Sequence, residues 1–169
     1  MKVVHVRLSL LAVCILAASA FAQQPSSSKT SDVTCSFADG KGMRIEYDRS
    51  EKAKSQGLPI GKAWSPAGKP LSLFLDTNVS IGNTTVPVGA YSLFVIPGKS
   101  DWELVVNKDV SAGATRNASQ DLARTVMQTG ELQDGEKVAT IYLAHIAPTQ
   151  CNVRIVYGKT MAWGEIHEK

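Results

Sequence analysis

Few side chains of this sequence are equipped for chemistry, and their spacing decides what they can do. Outside the first 22 residues they are Cys35 and Cys151, His145 and His167, and a scatter of carboxylates. A metal site legible in sequence needs His, Cys or carboxylate ligands at short, regular spacings. Neither histidine has such a partner, so His145, at the end of a strand-like run, and His167, in the C-terminal tail, read as structural or surface residues. A serine nucleophile on a strained elbow would show as G-x-S-x-G, which does not occur. Paired carboxylates remain open in principle, because their separation is spatial rather than sequential. The candidates are Glu46, Asp76, Asp101, Glu103 and Asp109; Asp101 adjoins a turn and Glu103 alternates outward, so both read as solvated charges. The residue types therefore point away from catalysis, and no metal or cofactor is expected.

Binding is the better-supported chemistry. Tryptophan in a β-rich domain either fills the core or stacks on a ligand such as a sugar ring. Trp102 and Trp163 follow strand alternation and read as core or half-buried residues. Trp64 instead sits in residues 49–70, a stretch with no sustained period that holds Gly57, Pro59, Gly61, Pro66, Gly68 and Pro70. Loops of this length inside a compact domain are often functional. Trp64, with Lys69 nearby, is the candidate contact site; the competing reading is that the stretch covers an open sheet edge with Trp64 as its apolar anchor.

The compartment follows from the N-terminus. Lys2, His5 and Arg7 precede an apolar run over 8–20, too short to span a bilayer, and Ala20-Phe21-Ala22 supplies the small residues of a signal-peptidase site. Residues 1–22 are expected to be a signal peptide, 23–31 a polar, Ser-rich disordered leader, and 32–167 one domain. The expected product is exported, periplasmic or extracellular, with no membrane span after the signal is removed. The formal charge of +3 includes Lys2 and Arg7; without them it is about +1, which gives no electrostatic case for nucleic acid. In an oxidising compartment Cys35 and Cys151 most simply pair, and closing so long a loop stabilises a fold by about 4–5 kcal/mol on the chain-entropy model.

The elements that must position these residues are strands. Gly82-Asn83 lies between 79–81 and 84–86, and both residues accept the positive φ of a tight hairpin. Pro87 ends that ladder, Gly89 restarts the chain into 90–96, and Pro97-Gly98-Lys99-Ser100 turns it into 102–107. Residues 33–37, 43–48 and 71–77 are further strand candidates by pattern, and 137–145, where Ala139, Ile141 and Leu143 alternate with Val138, Thr140 and Tyr142, reads as a buried strand. The chain closes on 151–157 and 160–166, read as a hairpin through Gly158-Lys159. Residues 121–129 are ambiguous: Leu122 and Val126, and Ala123 and Met127, are four apart as on a short helix that Gly130 would stop.

The blocks TCSFADGK, IGNTTVPVGAYSLFVIPGKSDWELVVNKD, DLARTVM and CNVRIVYGKTMAWGEI resemble an exported bacterial family known as domain of unknown function 2911. The resemblance covers most of the chain after the leader and is most specific over PVGAYSLFVIPG with Trp102 and Asn107. It implies that DLARTVM is extended, which is followed over the helical reading, and it agrees with pairing of the two cysteines. One departure stands out: members tend to carry Trp-Arg-x-Gly-Ala-Asn-Glu before the strand that here starts at Leu71, where this chain has Trp64-Ser65-Pro66-Ala67-Gly68-Lys69-Pro70. Only Trp64 carries over. The resemblance implies a fold and a compartment but no activity.

The reading is thus an all-β protein, an antiparallel β-sandwich of about ten short strands with one disulfide. Its expected role is a non-catalytic binding or envelope-associated module for a small molecule, glycan or envelope protein. The alternatives are a hydrolase of an envelope polymer or glycan, which Glu46, Asp76 or His145 gathered in one cleft would favour, and a structural protein-interaction domain.

Overall fold

The computed structural model describes residues 30–48, 57–111, 113 and 115–169. The expected signal peptide and most of the expected leader lie outside these residues. Among the described residues nine strands form one antiparallel sheet: β1 (Thr30–Ser36), β2 (Gly42–Asp48), β3 (Leu71–Leu75), β4 (Val79–Ile81), β5 (Thr84–Val86), β6 (Gly89–Ile96), β7 (Trp102–Asn107), β8 (Asp121–Ala147) and β9 (Gln150–Glu168). Their order across the sheet is β1-β2-β3-β6-β7-β8-β9-β4-β5. A single 3₁₀ turn, Ala118–Gln120, breaks the all-β pattern among the described residues. Pairing in β1 begins at Thr30, opposite Asp48, so the last two residues assigned to the leader belong to the sheet.

The expected all-β antiparallel fold with one disulfide is present, as a continuous sheet in which two strands are long. Residues 121–127 of β8 pair with β7, and residues 128–147 of the same strand pair with β9. One strand thus serves two neighbours in succession, which is how a sheet rolls without being cut in two. The curl brings the first strand of the order back to the hairpin made by β8 and β9. Cys35 on β1 is disulfide-bonded to Cys151 on β9, and the amide of Ala38 donates to the carbonyl of Pro148 at 2.8 Å.

Alternation places the core. Ile45, Leu71, Leu73, Leu93, Leu104, Met127, Ile141, Ile155 and Ile166 are all fully buried, and they come from six different strands. Trp102 is buried with them and Trp163 is half-buried.

Two turns differ from the sequence reading. At Gly82-Asn83 the hairpin forms as expected, with Ile81 opposite Thr84, but only Gly82 has positive φ, at 58°. Positive φ at the first central residue alone is the type II′ pattern. The hairpin expected at Gly158-Lys159 is absent. Gly158 has φ 58° inside the unbroken β9, where the pairing jumps from Glu131–Thr160 to Glu136–Gly158, leaving residues 132–135 of β8 as a bulge. The real reversal is at Pro148-Thr149, one strand earlier.

Candidate functional site

Residues 57–70 are not a free loop. Trp64 and Val95 exchange backbone hydrogen bonds at 2.6 and 3.0 Å, and the amide of Gly61 donates to the carbonyl of Pro97 at 2.7 Å, so this segment lies along β6 in line with β3. The Trp64 ring stacks edge-on to Trp102 and to Tyr157, with centroids 5.8 and 5.1 Å apart. It is half-buried against the core. The sequence reading that made Trp64 an exposed contact gives way here to the competing one, an apolar anchor that covers a sheet edge. Residues 49–56 of the stretch lie outside the described part.

Lys69 behaves differently. It is exposed, and its Nζ lies 3.4 Å from Oδ2 of Asp48. Together with Glu46, Tyr47, Ser72, Ser92 and Ser111 these two residues line a cleft of about 200 Å³. Its floor is the sheet face opposite the core. Strand register explains the composition: Glu46 stands opposite Ser72, Ser72 opposite Ser92, Ser92 opposite Asn107, and Asn107 opposite Asp121. Five neighbouring strands therefore contribute one continuous polar row. Such a row is visible only once the pairing is known, because each strand alone shows nothing more than a polar residue at an outward position.

One end of the row is closed and the other open. At the closed end Asn107 is fully buried; its Nδ2 donates to Oδ1 of Asp121 and to the carbonyl of Asn117, both at 2.8 Å, while its Oδ1 accepts from the amide of Asp109 at 3.0 Å. Asp121 also accepts from Arg116 and from Arg124. Burial alone would push the Asp121 carboxyl up, but hydrogen bonds from Arg116, Asn107 and Arg124 with the Arg116 charge together hold it below its usual value. A β-bulge between Val106 and Asn107 makes this geometry possible. By skipping one residue of β8 it turns Asp121 onto the same face as Arg124.

At the open end the polar atoms are less satisfied. Oδ1 of Asp48 is buried and has no hydrogen-bond partner among the described residues. Ser92 is 4 % exposed, and its hydroxyl and that of Ser72 have no side-chain hydrogen bond among the described residues either. Beside them Arg44 pairs with Glu46 and lies over the Phe74 ring, 4.3 Å from its centroid. A buried carboxylate oxygen is an acceptor only, so Oδ1 of Asp48 can be satisfied only by a donor brought to it.

The other sequence candidates do not converge on the cleft. Asp76 follows the far end of β3, where its amide donates to Gly42. Glu103 pairs with Arg124, and Asp109 accepts from Ser111. The hydrogen bonds from Ser111 hold the Asp109 carboxyl below its usual value. Asp101 is exposed beside its turn, and His167 lies 3.3 Å from Glu165 near the C-terminus. His145 stands elsewhere, beside the disulfide, with one ring nitrogen and both sulfurs inside a 4.8 Å span. Glu46 alone of the hydrolase set is in the cleft. Asp48, Ser72 and Ser92 were missed, and their signal was the outward half of strand patterns read for their buried half.

No helix among the described residues is long and apolar enough to cross a membrane. No curated protein and no solved structure matches the chain significantly. Residues 28–166, which hold the whole sheet up to Ile166, match the model described as protein of unknown function (DUF2911), and the chain belongs to that family.

Proposed function

We propose that this protein is an exported, non-catalytic binding module that holds a hydroxyl-bearing ligand, a sugar unit of an envelope glycan, in the cleft between Asp48, Lys69, Ser72 and Ser92. The observation that carries the reading is Oδ1 of Asp48, which has no partner among the described residues and is buried at the floor of a polar cleft whose Lys69 side is open to solvent. An acceptor in that state costs about 1–3 kcal/mol unless a donor arrives. A ligand hydroxyl supplies that donor, and it can accept in turn from Ser72, Ser92 or the Lys69 ammonium. The site is thus matched to groups that both donate and accept, which is the signature of a polyol. Lys69 and Pro70 form one wall of the cleft, and Trp64 lies outside it.

The reading is tested by thermal melts of the purified protein against monosaccharides, oligosaccharides and peptidoglycan fragments. One glycan class should raise Tm, and Asp48→Asn and Lys69→Ala should each remove that rise while leaving the ligand-free melt nearly unchanged. Trp64→Ala should lower the ligand-free Tm. If no glycan raises Tm, or if the rise survives both cleft substitutions, the reading is wrong.

A further inference from the structure

The disulfide has a neighbour that its structural role does not require. On the paired strands β8 and β9, His145 stands directly opposite Cys151. Cys151 is bonded to Cys35 on β1. One imidazole nitrogen and the two sulfurs therefore lie within 4.8 Å of one another, although the three residues come from three strands. The sulfurs are buried and the imidazole is exposed, so the group has a dry side and a solvent side.

The histidine is also held in place. Its Nδ1 lies 2.9 Å from the carbonyl of Ser36, the residue after Cys35. A carbonyl only accepts, so the contact puts the proton on Nδ1 and leaves the lone pair on Nε2. A ring hydrogen-bonded through one nitrogen to a backbone carbonyl is how metal-binding histidines are commonly oriented.

We propose that Cys35, Cys151 and His145 form a redox-gated site for a thiophilic d¹⁰ cation, closed while the disulfide is intact and opened when it is reduced. The chemistry balances with a dithiol as reductant. The S–S bond takes up two electrons and two protons to give two thiols, and the dithiol becomes its own disulfide. Binding of Zn(II) then displaces the two thiol protons and leaves two thiolates and one neutral imidazole around the ion. Tetrahedral Zn–S bonds of about 2.3 Å set the sulfurs about 3.8 Å apart. Reduction frees the bonded sulfurs to separate to that distance, with the imidazole nitrogen already within 4.8 Å of both. The fourth position faces solvent, on the side where His145 is exposed.

A Cys₂His set also suits Cu(I), since thiolate and imidazole are ligands for both ions. The oxidised protein offers a single imidazole, which is too weak to retain either. The site therefore converts a change in thiol poise into metal occupancy at the point where the rolled sheet is fastened.

The experiment titrates the purified protein with Zn(II), and with Co(II) as a visible reporter, before and after reduction by a phosphine that is then removed without air. A parallel arm titrates Cu(I) against a coloured chelator. The reduced protein should bind one ion per chain, with thiolate-to-cobalt charge-transfer absorption in the near ultraviolet, and the oxidised protein should show neither. His145→Ala keeps the disulfide and should weaken binding of the preferred ion by at least about tenfold, because even outer-shell partners of a metal site are worth about 10–100-fold. Circular dichroism tracks folding throughout, so that a reduced chain that unfolds is recognised. Equal binding by oxidised and reduced protein overturns the proposal, as does unchanged affinity in His145→Ala. An ion shared between two chains overturns it too, as does failure of both ions to bind the reduced chain, folded or unfolded.

Discussion

Asn107 and Asp121 are joined by a 2.8 Å hydrogen bond across the bulged pairing of β7 and β8, and that bond closes one end of the polar row. Asn107 is saturated by it: both amide hydrogens and the carbonyl oxygen are engaged. Asp121 is likewise shared among Asn107, Arg116 and Arg124. At the opposite end of the row, Oδ1 of Asp48 has no hydrogen-bond partner among the described residues. This asymmetry separates a saturated end from the end assigned to the proposed ligand, on one continuous sheet face.

The closed end predicts an acid limit to stability. The Asp121 carboxyl is depressed in the folded protein, so its contribution is fully present above the ordinary carboxylate range. It is lost as pH falls through the depressed value, where the carboxyl protonates and releases Arg116. Asp121→Asn should cost about 2–3 kcal/mol near neutral pH, because it leaves the mostly buried Arg116 without its counter-charge. It should also flatten the acid limb of the stability curve. Urea unfolding of both proteins from neutral pH to pH 3 checks both points; parallel curves would show that Asp121 is not the titrating group.

Trp64 predicts a stability effect without a binding effect. Its ring meets Trp102 and Tyr157 edge-on, and its backbone is locked to Val95. Trp64→Ala should lower stability by about 2–3 kcal/mol, less than for a fully buried aromatic since the ring is half-exposed. Trp64→Phe should recover part of the loss. Any glycan that raises Tm of the wild type should raise Tm of Trp64→Ala by a similar amount. Loss of that shift with the fold intact would return the binding site to Trp64.

Strand positions were legible from residue pattern because β2 alternates and because β6 and β7 are apolar-rich runs bounded by Gly and Pro turns. The 121–129 segment was harder for a simple reason. Residues four apart share a face on a helix, but four is also even, so they share a face on a strand. Ala123 and Met127 prove to be an inward strand pair, with the exposed Val126 pointing the other way. Gly158 misled for a related reason: positive φ serves a turn or a bulge equally well, and only the partner strand decides which. The polar row and the His145–disulfide group were invisible in sequence, since both are made by register between strands far apart in the chain.

Gly82 predicts a local failure with distant effect. A Cβ added there would lie 2.5 Å from the carbonyl oxygen of Arg124, and φ is 58°, so Gly82→Ala meets both a clash with backbone and a strained conformation. The cost should exceed about 2 kcal/mol. The clash is with β8 beside Asp121, so amide exchange should rise at Asp121 and Arg124 as well as in the β4–β5 hairpin. Faster exchange in the hairpin alone would mean that β8 tolerates the intrusion.

The disulfide predicts a change in the unfolded state as well as in the folded one. It joins residues 116 apart and holds β1 against β9, the contact that completes the curl of the sheet. Replacing both cysteines by serine should cost about 4 kcal/mol, chiefly because the unfolded chain regains the entropy of a long loop. Freed of the cross-link, that chain also exposes more surface, so the urea m-value should rise while the midpoint falls. Within the folded state β1 should exchange fastest, since it is an edge strand paired only to β2 once the bond is gone. Equilibrium urea unfolding with hydrogen exchange on the double variant reads all three. A fall in midpoint with unchanged m and protected β1 would show that the sheet closes without the bond, through the Ala38–Pro148 and His145–Ser36 contacts alone.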